Sequence, residues 1–180
     1  MGATAADYAW LRDRWTDGVR TATLCINFVA DLSPGEALRR FGVAPGASGE
    51  YTIAAYEATG GTVLAETGWA TRYSRQYDPL SARTKAATVQ VDIKGAQFTY
   101  EVNDRLITTF SLYSYRFREG DDPDQLLDDV RELGLFDASG DLVPSALALA
   151  SRATGVDLSR NQYTRPSLTG STDHLYDFFE

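Results

Sequence analysis

Two side chains of this sequence could form a nucleophile and base pair, because the chain has one cysteine, Cys25, and one histidine, His174. A thiolate mechanism needs the imidazole within hydrogen-bonding distance of the sulfur. Cys25 falls in the middle of a predicted strand, where a cysteine is usually a small core residue. A hydrolase triad would need a further histidine, and the sequence has no G-x-S-x-G motif. We therefore predict no catalytic residue, although an enzyme of unrecognised type remains the third hypothesis.

The sequence also lacks the residue patterns of metal sites and nucleotide sites. One cysteine and one histidine cannot form a structural zinc site. The aspartates near residue 122 lack the spacing and central glycine of a calcium loop. We interpret Asp122 as the cap of a helix and its acidic neighbours as first-turn residues. Neither phosphate-binding glycine motif is present, so we expect no metal and no cofactor.

Arginines alternate with aromatic residues in a long stretch between two predicted strands. Its members are Trp69, Arg72, Tyr73, Arg75, Tyr77, Arg83 and Lys85. Such residues can clamp a phosphate, a base or an acidic protein surface. The stretch is also longer than an ordinary hairpin connection, and long loops often carry function. The alternative is a crossover that packs on the sheet and pairs its arginines with the domain's own acids.

The last residues form a second candidate binding segment. Its apolar members are Leu175, Tyr176, Phe178 and Phe179, set among Asp173, Asp177 and Glu180. Short acidic and aromatic segments of this kind dock into grooves or become ordered on contact. The alternative is that the segment packs back on its own domain.

Composition limits the classes of partner. The 180 residues carry a net charge of -8, and 43% of them are hydrophobic. This charge disfavours binding to nucleic acid or to an anionic membrane surface. No run approaches the ~18 apolar residues of a membrane span, and the first residues do not resemble a signal peptide. We expect a cytoplasmic protein.

The elements that must position these residues follow from caps, turns and hydrophobic periodicity. Helices are predicted after Thr4 and after the caps Ser33 and Asp122, each with an acid or amide three residues later, and a last helix over 144–153, closed by Gly155. Strands are predicted over 21–30, over 50–57 and 62–66 around a Gly60–Gly61 turn, and in a three-stranded meander over 86–112. This order predicts a single α+β domain over 1–158. It has a mostly antiparallel sheet of five to six strands, three to four helices packed on one face, and a tail over 159–180.

Several of these motifs together resemble an uncharacterised family of actinobacterial domains of unknown function. The resemblance covers about residues 8–158. It rests on Tyr8-x-Trp10-Leu11, Leu24-Cys25, Leu32-Ser33-Pro34-x-Glu36-x-Leu38-Arg39-Arg40-Phe41-Gly42, Phe98-x-Tyr100, Leu106-x-Thr108-x-Phe110, Gly120-x-Asp122-Pro123-Asp124-x-Leu126 and Arg131-Glu132-x-Gly134-Leu135. It implies an actinobacterial or phage origin and no known activity.

The sequence thus favours a non-catalytic accessory domain of the immunity or adaptor type, whose partner is another protein. The alternative is a domain that binds a small anionic ligand or nucleotide beside the 69–85 stretch.

Overall fold

The computed structural model describes residues 2–14, 24–66, 79–92 and 94–175. The helices are α1 (Ala5–Tyr8), α2 (Pro34–Arg40), α3 (Leu127–Glu132), α4 (Leu142–Thr154) and α5 (Arg160–Tyr163). The strands are β1 (Leu24–Ala30), β2 (Thr52–Ala58), β3 (Gly61–Glu66), β4 (Lys85–Asp92), β5 (Gly95–Val102), β6 (Arg105–Ser111), β7 (Ser114–Glu119) and β8 (Leu168–Ser171). Two 3-10 segments lie at 9–14 and 173–175.

The eight strands of the described residues form one sheet in the order β7-β6-β5-β4-β1-β3-β2-β8, and all neighbouring strands in it are antiparallel. Two hairpin-connected groups meet at β1. The meander β4 to β7 lies on one side of it, and the β2–β3 hairpin with β8 lies on the other. The first strand of the chain therefore joins the two halves of the sheet.

The β1 strand is buried on both faces, because helices cover both. Its seven residues are all buried. Ile26 and Phe28 lie in the core cluster that α4 and α1 contribute to, and Val29 lies in a second cluster with Leu38 and Phe41 from the α2 side. The prediction that helices cover one face is therefore wrong. The lone helix α2 was expected to share a face with the longer helices, and its sequence does not say which face it takes.

The α4 helix covers most of the first face of β1. Ten of its thirteen residues are buried, which suits its run of alanines and leucines. It ends, as predicted, at Gly155, which has the left-handed φ of 77° that favours glycine. The Ser33 cap of α2 is also confirmed, since its hydroxyl accepts from the Glu36 N–H at 3.4 Å. The carboxylate of Glu36 does not reach back to the cap; it pairs with Arg39 and Arg40 instead.

The α+β class and the antiparallel sheet are confirmed, but the strand number is not. Eight strands replace the predicted five to six, because the edge strands β7 and β8 were not predicted. The predicted Asp122 cap is wrong as well: turns occupy the residues after it, and α3 begins at Leu127. Asp122 contributes a backbone carbonyl that accepts from the Gln125 N–H.

Residues 160–175, which the sequence places in a tail, form the helix α5 and the edge strand β8. The β8 strand pairs with β2 in the same sheet. The Asp173 carboxylate accepts from the backbone N–H groups of Glu50 and Tyr51 at 3.0 and 2.7 Å. His174 Nε2 lies 2.9 Å from the carbonyl oxygen of Gly42, and Leu175 is fully buried. These contacts fix the position of residue 175 in the domain.

None of the helices within the described residues combines the length and the apolar character needed to cross a bilayer.

Arg152 joins three parts of the first face, and its loss should destabilise the domain. Its side chain is 8% exposed and donates to Asp129, Glu132 and the carbonyl oxygen of Ala3. We expect Arg152→Met to lower the free energy of unfolding by about 2 kcal/mol, since the partly buried carbonyl of Ala3 and two carboxylates lose a charged donor. The matched control is Arg105→Met, which removes an exposed pair with Asp121 and should cost less than about 0.5 kcal/mol. Urea unfolding followed by circular dichroism measures both, and equal losses would contradict the assignment.

The Asp173 contact predicts a pH-dependent stability. Hydrogen bonds from the Tyr51 and Glu50 N–H groups hold the pKa of Asp173 below its ordinary value. A carboxyl whose pKa falls on folding stabilises the fold above about pH 4 and loses that effect as the pH drops through the folded pKa. Asp173→Asn should therefore melt below the wild type at pH 7 and converge with it at about pH 2. Asp137→Asn is the control, because the exposed Asp137 makes no hydrogen bond with the described residues. A constant difference across pH would contradict the prediction.

Candidate functional site

The edge strand β7 and the neighbouring α3 carry the most prominent cluster of exposed aromatic residues among the described residues. Phe117 is 72% exposed and Tyr113 is 62% exposed, and Phe136 beyond α3 is also exposed. Arginines lie over the rings of this cluster. We call it the aromatic–arginine surface, defined by Tyr113, Arg116, Phe117, Arg118, Arg131 and Phe136.

A buried tyrosine anchors this strand to the core. Tyr115 is 2% exposed. Its ring meets Phe110 of β6 edge-on at 4.8 Å between centroids, and lies 5.7 Å from Phe136. One exposed ring of the surface, Phe136, therefore packs against a ring of the first core cluster.

The pairing of β7 with β6 is irregular. Ser114 pairs with Ser111 and Glu119 pairs with Thr109, so the four β7 residues between them face Phe110 alone. An insertion of this kind bends and twists an edge strand. It also makes the edge a poor template for regular strand addition. Contacts at this edge are therefore expected to come from side chains.

The loop after β7 folds back on β6 and holds the polar partners of the surface. Gly120 begins it with a φ of 133°, and a Cβ there would lie 2.2 Å from the carbonyl oxygen of Ile107. The N–H groups of Asp121 and Asp122 donate to the carbonyl oxygens of Leu106 and Ile107 at 3.0 and 3.1 Å. The loop is thus fixed by backbone contacts.

Asp124 at the end of this loop links Arg118 to Tyr115. Arg118 donates two hydrogen bonds to the Asp124 carboxylate, and the bond from Nη2 is 2.9 Å long. The Arg118 guanidinium also lies 4.9 Å from the centroid of the Tyr115 ring. These hydrogen bonds hold the pKa of Asp124 below its ordinary value. Burial, and then the charge of Asp124, raise the pKa of Tyr115 to about 12. The hydroxyl therefore stays protonated and donates to Pro123 O at 3.0 Å.

Two arginines of the surface are not neutralised in this way. Arg116 lies 5.9 Å from the centroid of the Phe117 ring, and Arg131 lies 5.3 Å from that of Phe136. Neither forms an ion pair with the described residues. Each thus presents a positive charge beside an exposed ring, within a chain whose net charge is -8.

Most of the binding residues predicted from the sequence lie outside the described residues. These are Trp69, Arg72, Tyr73, Arg75, Tyr77, Tyr176, Phe178 and Phe179. Arg83 is exposed, with a φ of 57°, and forms no ion pair with the described part of the chain. Its segment is held by Arg40, which donates to the carbonyl oxygen of Ala82 at 2.6 Å. Leu175 is a core residue of the second cluster.

The remaining chemical candidates do not assemble with one another. Cys25 is buried in β1, and the His174 imidazole contacts the carbonyl oxygen of Gly42. Over the described ranges, no group of three or more metal-ligating side chains comes together. A shallow cleft of about 470 Å³ between the end of β2 and α5 has Glu57 and Arg165 in its lining, and Arg83 is not part of it.

Sequence reasoning missed the aromatic–arginine surface, although a signal for it exists. Aromatic residues recur at Tyr113, Tyr115 and Phe117, with serine and arginine between them. That period of two is typical of a strand. The predicted meander ended at residue 112, so this alternation was not interpreted.

The fold and the surface together define an α+β domain with an open antiparallel sheet and an exposed side-chain cluster on one edge strand. Over residues 50–168 the chain matches the model of a family of unknown function, DUF6461, and it belongs to that family. No curated protein and no solved structure matches it. Membership of an uncharacterised family is thus confirmed, while the actinobacterial or phage origin stays a prediction. The matched range contains β7 and α3, so the surface lies inside the family region.

Tyr115 in β7 and Tyr113 in the turn before it should respond differently to loss of the hydroxyl. Tyr115→Phe should lower the free energy of unfolding by about 1 kcal/mol, because the partly buried carbonyl of Pro123 loses a donor. Tyr113→Phe should leave it unchanged, because that hydroxyl makes no hydrogen bond with the described residues. Chemical unfolding of both variants checks this, and an equal effect at the two positions would show that Tyr115 is not the anchor.

Proposed function

We propose that this protein is a non-catalytic binding domain, of the accessory, immunity or adaptor type, that contacts another protein through the aromatic–arginine surface. The observation that carries the proposal is the exposure of Phe117, on an edge strand anchored by Tyr115, and of Tyr113, in the turn that precedes this strand. Large exposed rings are costly to leave in water and are kept where a partner covers them.

The residue types of the surface suit protein contact. Tyrosine and arginine dominate the residues whose truncation most weakens protein interfaces. Arg118 is held by Asp124 and stacked on Tyr115, so its side chain loses little conformational entropy when a partner binds. Arg116 and Arg131 form no ion pair with the described residues, and exposed charge of this kind steers a partner and fixes its orientation.

The β-bulge of β7 supports side-chain docking over strand addition. A partner strand would need a regular row of backbone donors and acceptors. Four residues of β7 facing Phe110 alone interrupt such a row. The partner would therefore cover rings and guanidinium groups.

Binding of a small anionic ligand or nucleotide beside the 69–85 stretch is the alternative. The supporting observation is Arg83, whose exposed guanidinium forms no ion pair with the described residues. A single described arginine supports this hypothesis less than the six-residue surface supports protein binding. An enzyme of unrecognised type, in a cytoplasmic setting, stays the third hypothesis.

Capture of a partner from the source cell tests the proposal. The full chain, carrying an affinity tag at residue 1, is crosslinked and purified, and bound proteins are quantified by mass spectrometry. We expect the double variant Tyr113→Ala, Phe117→Ala to reduce the specific partner at least tenfold, since hot-spot aromatic residues contribute 2 kcal/mol or more, by a rough estimate.

The matched control is Tyr51→Ala, which removes an exposed tyrosine ahead of β2, near the opposite edge of the sheet. It should retain the partner. Circular dichroism must show that all variants are folded. A folded double variant that still retains every protein captured by the wild type would overturn the proposal.

A further inference from the structure

We infer that the aromatic–arginine surface receives residues 176–180 of a second copy of this chain. The inference rests on the proposed function and names an occupant for the same surface. The segment reads Tyr-Asp-Phe-Phe-Glu, three aromatic residues with two acids among them. The surface is complementary to this segment, because it carries aromatic rings among arginines.

The charges of the two sets of residues are opposite. Arg116 and Arg131 form no ion pair with the described residues, whereas Arg118 is already paired with Asp124. Two carboxylates, those of Asp177 and Glu180, match in number the two guanidinium groups that form no ion pair with the described residues. Charge-assisted hydrogen bonds to arginine are stronger than those between neutral groups, and the rings of the segment can stack beside Phe117 and Phe136.

The position of Leu175 excludes the same copy as the source. Leu175 is buried in the second core cluster, and its neighbours Asp173 and His174 are tied to Tyr51 and Gly42. These contacts lie at the β2–β8 end of the sheet, and β7 is the opposite edge. Seven strand spacings separate the edges, about 33 Å at the usual spacing.

Five residues cannot cross that separation. Fully extended, residues 176–180 reach about 18 Å from Leu175. The segment of one copy therefore meets the surface of another copy, and each copy has one segment and one surface. The contact is heterologous, head to tail, so it builds rings or open chains.

The light-scattering mass of the purified full chain tests this. We expect the wild type to exceed its monomer mass of 19.7 kDa as the concentration rises from about 1 µM to about 1 mM, and to dissociate in about 0.5 M salt. The surface variant Arg116→Ala, Phe117→Ala and the segment variant Asp177→Ser, Phe178→Ser should each associate at least tenfold more weakly. Tyr51→Ala should associate like the wild type.

Mixing the two variants gives the sharper result. The intact segment of the surface variant can bind the intact surface of the segment variant, and the two remaining sites are both inactive. An equimolar mixture should therefore reach, and stop at, twice the monomer mass at a concentration where each variant alone is monomeric. An isologous dimer through another face would instead form equally in each variant alone. A wild type that stays monomeric throughout overturns the inference. So does a mixture that stays monomeric while the wild type associates.

Failure of this inference is separable from failure of the proposed function. If the wild type is monomeric and the Tyr113→Ala, Phe117→Ala variant still loses a captured protein, the surface binds a different protein and the second-copy occupant is wrong. If that variant loses neither a captured protein nor self-association, both proposals are wrong.

Discussion

The burial of β1 on both faces is the constraint on which the rest of the structure depends. Seven consecutive residues without access to water require cover on two sides and strand partners on two edges. The sheet supplies β3 and β4 as partners, and α4 and α2 lie on opposite faces. Removing any one of these four neighbours would expose apolar side chains or backbone groups of β1, so the two halves of the sheet are held through this strand.

This arrangement determines where an interaction surface can lie. The central strand β1 is covered by α4 on one face and by α2 on the other, and the two edge strands β7 and β8 each have one side without a strand neighbour among the described residues. The β8 edge is short and follows α5, whereas β7 is bulged and carries arginines. A short edge strand and a bulged, charged edge strand both limit unwanted strand addition. On β7 the exposed rings would then be covered by the side chains of a partner.

Electrostatics in this protein act locally. The chain is acidic overall, yet several carboxylates are committed to nearby donors: Asp124 to Arg118, Glu36 to α2 arginines, and Asp173 to backbone N–H groups. The arginines left beside Phe117 and Phe136 are therefore a local exception to the net charge. A partner attracted by these arginines must approach closely, since a charge at the surface is screened within about 8 Å at physiological ionic strength.

The sequence by itself determined the local elements: the Ser33 cap, the Gly60–Gly61 hairpin, the β4–β6 meander and the Gly155 helix end. Each depends on residues a few positions apart, whose steric and hydrogen-bonding preferences act without the rest of the fold. Tertiary structure alone decided the insertion of β1 between β3 and β4, the placement of α2 on the second face, and the pairing of β8 with β2. These three placements depend on which apolar surfaces, far apart in the sequence, pack together, and hydrophobic periodicity does not specify the packing partners. The binding surface has the same origin, because Arg131 and Phe136 join β7 only once α3 packs beside it.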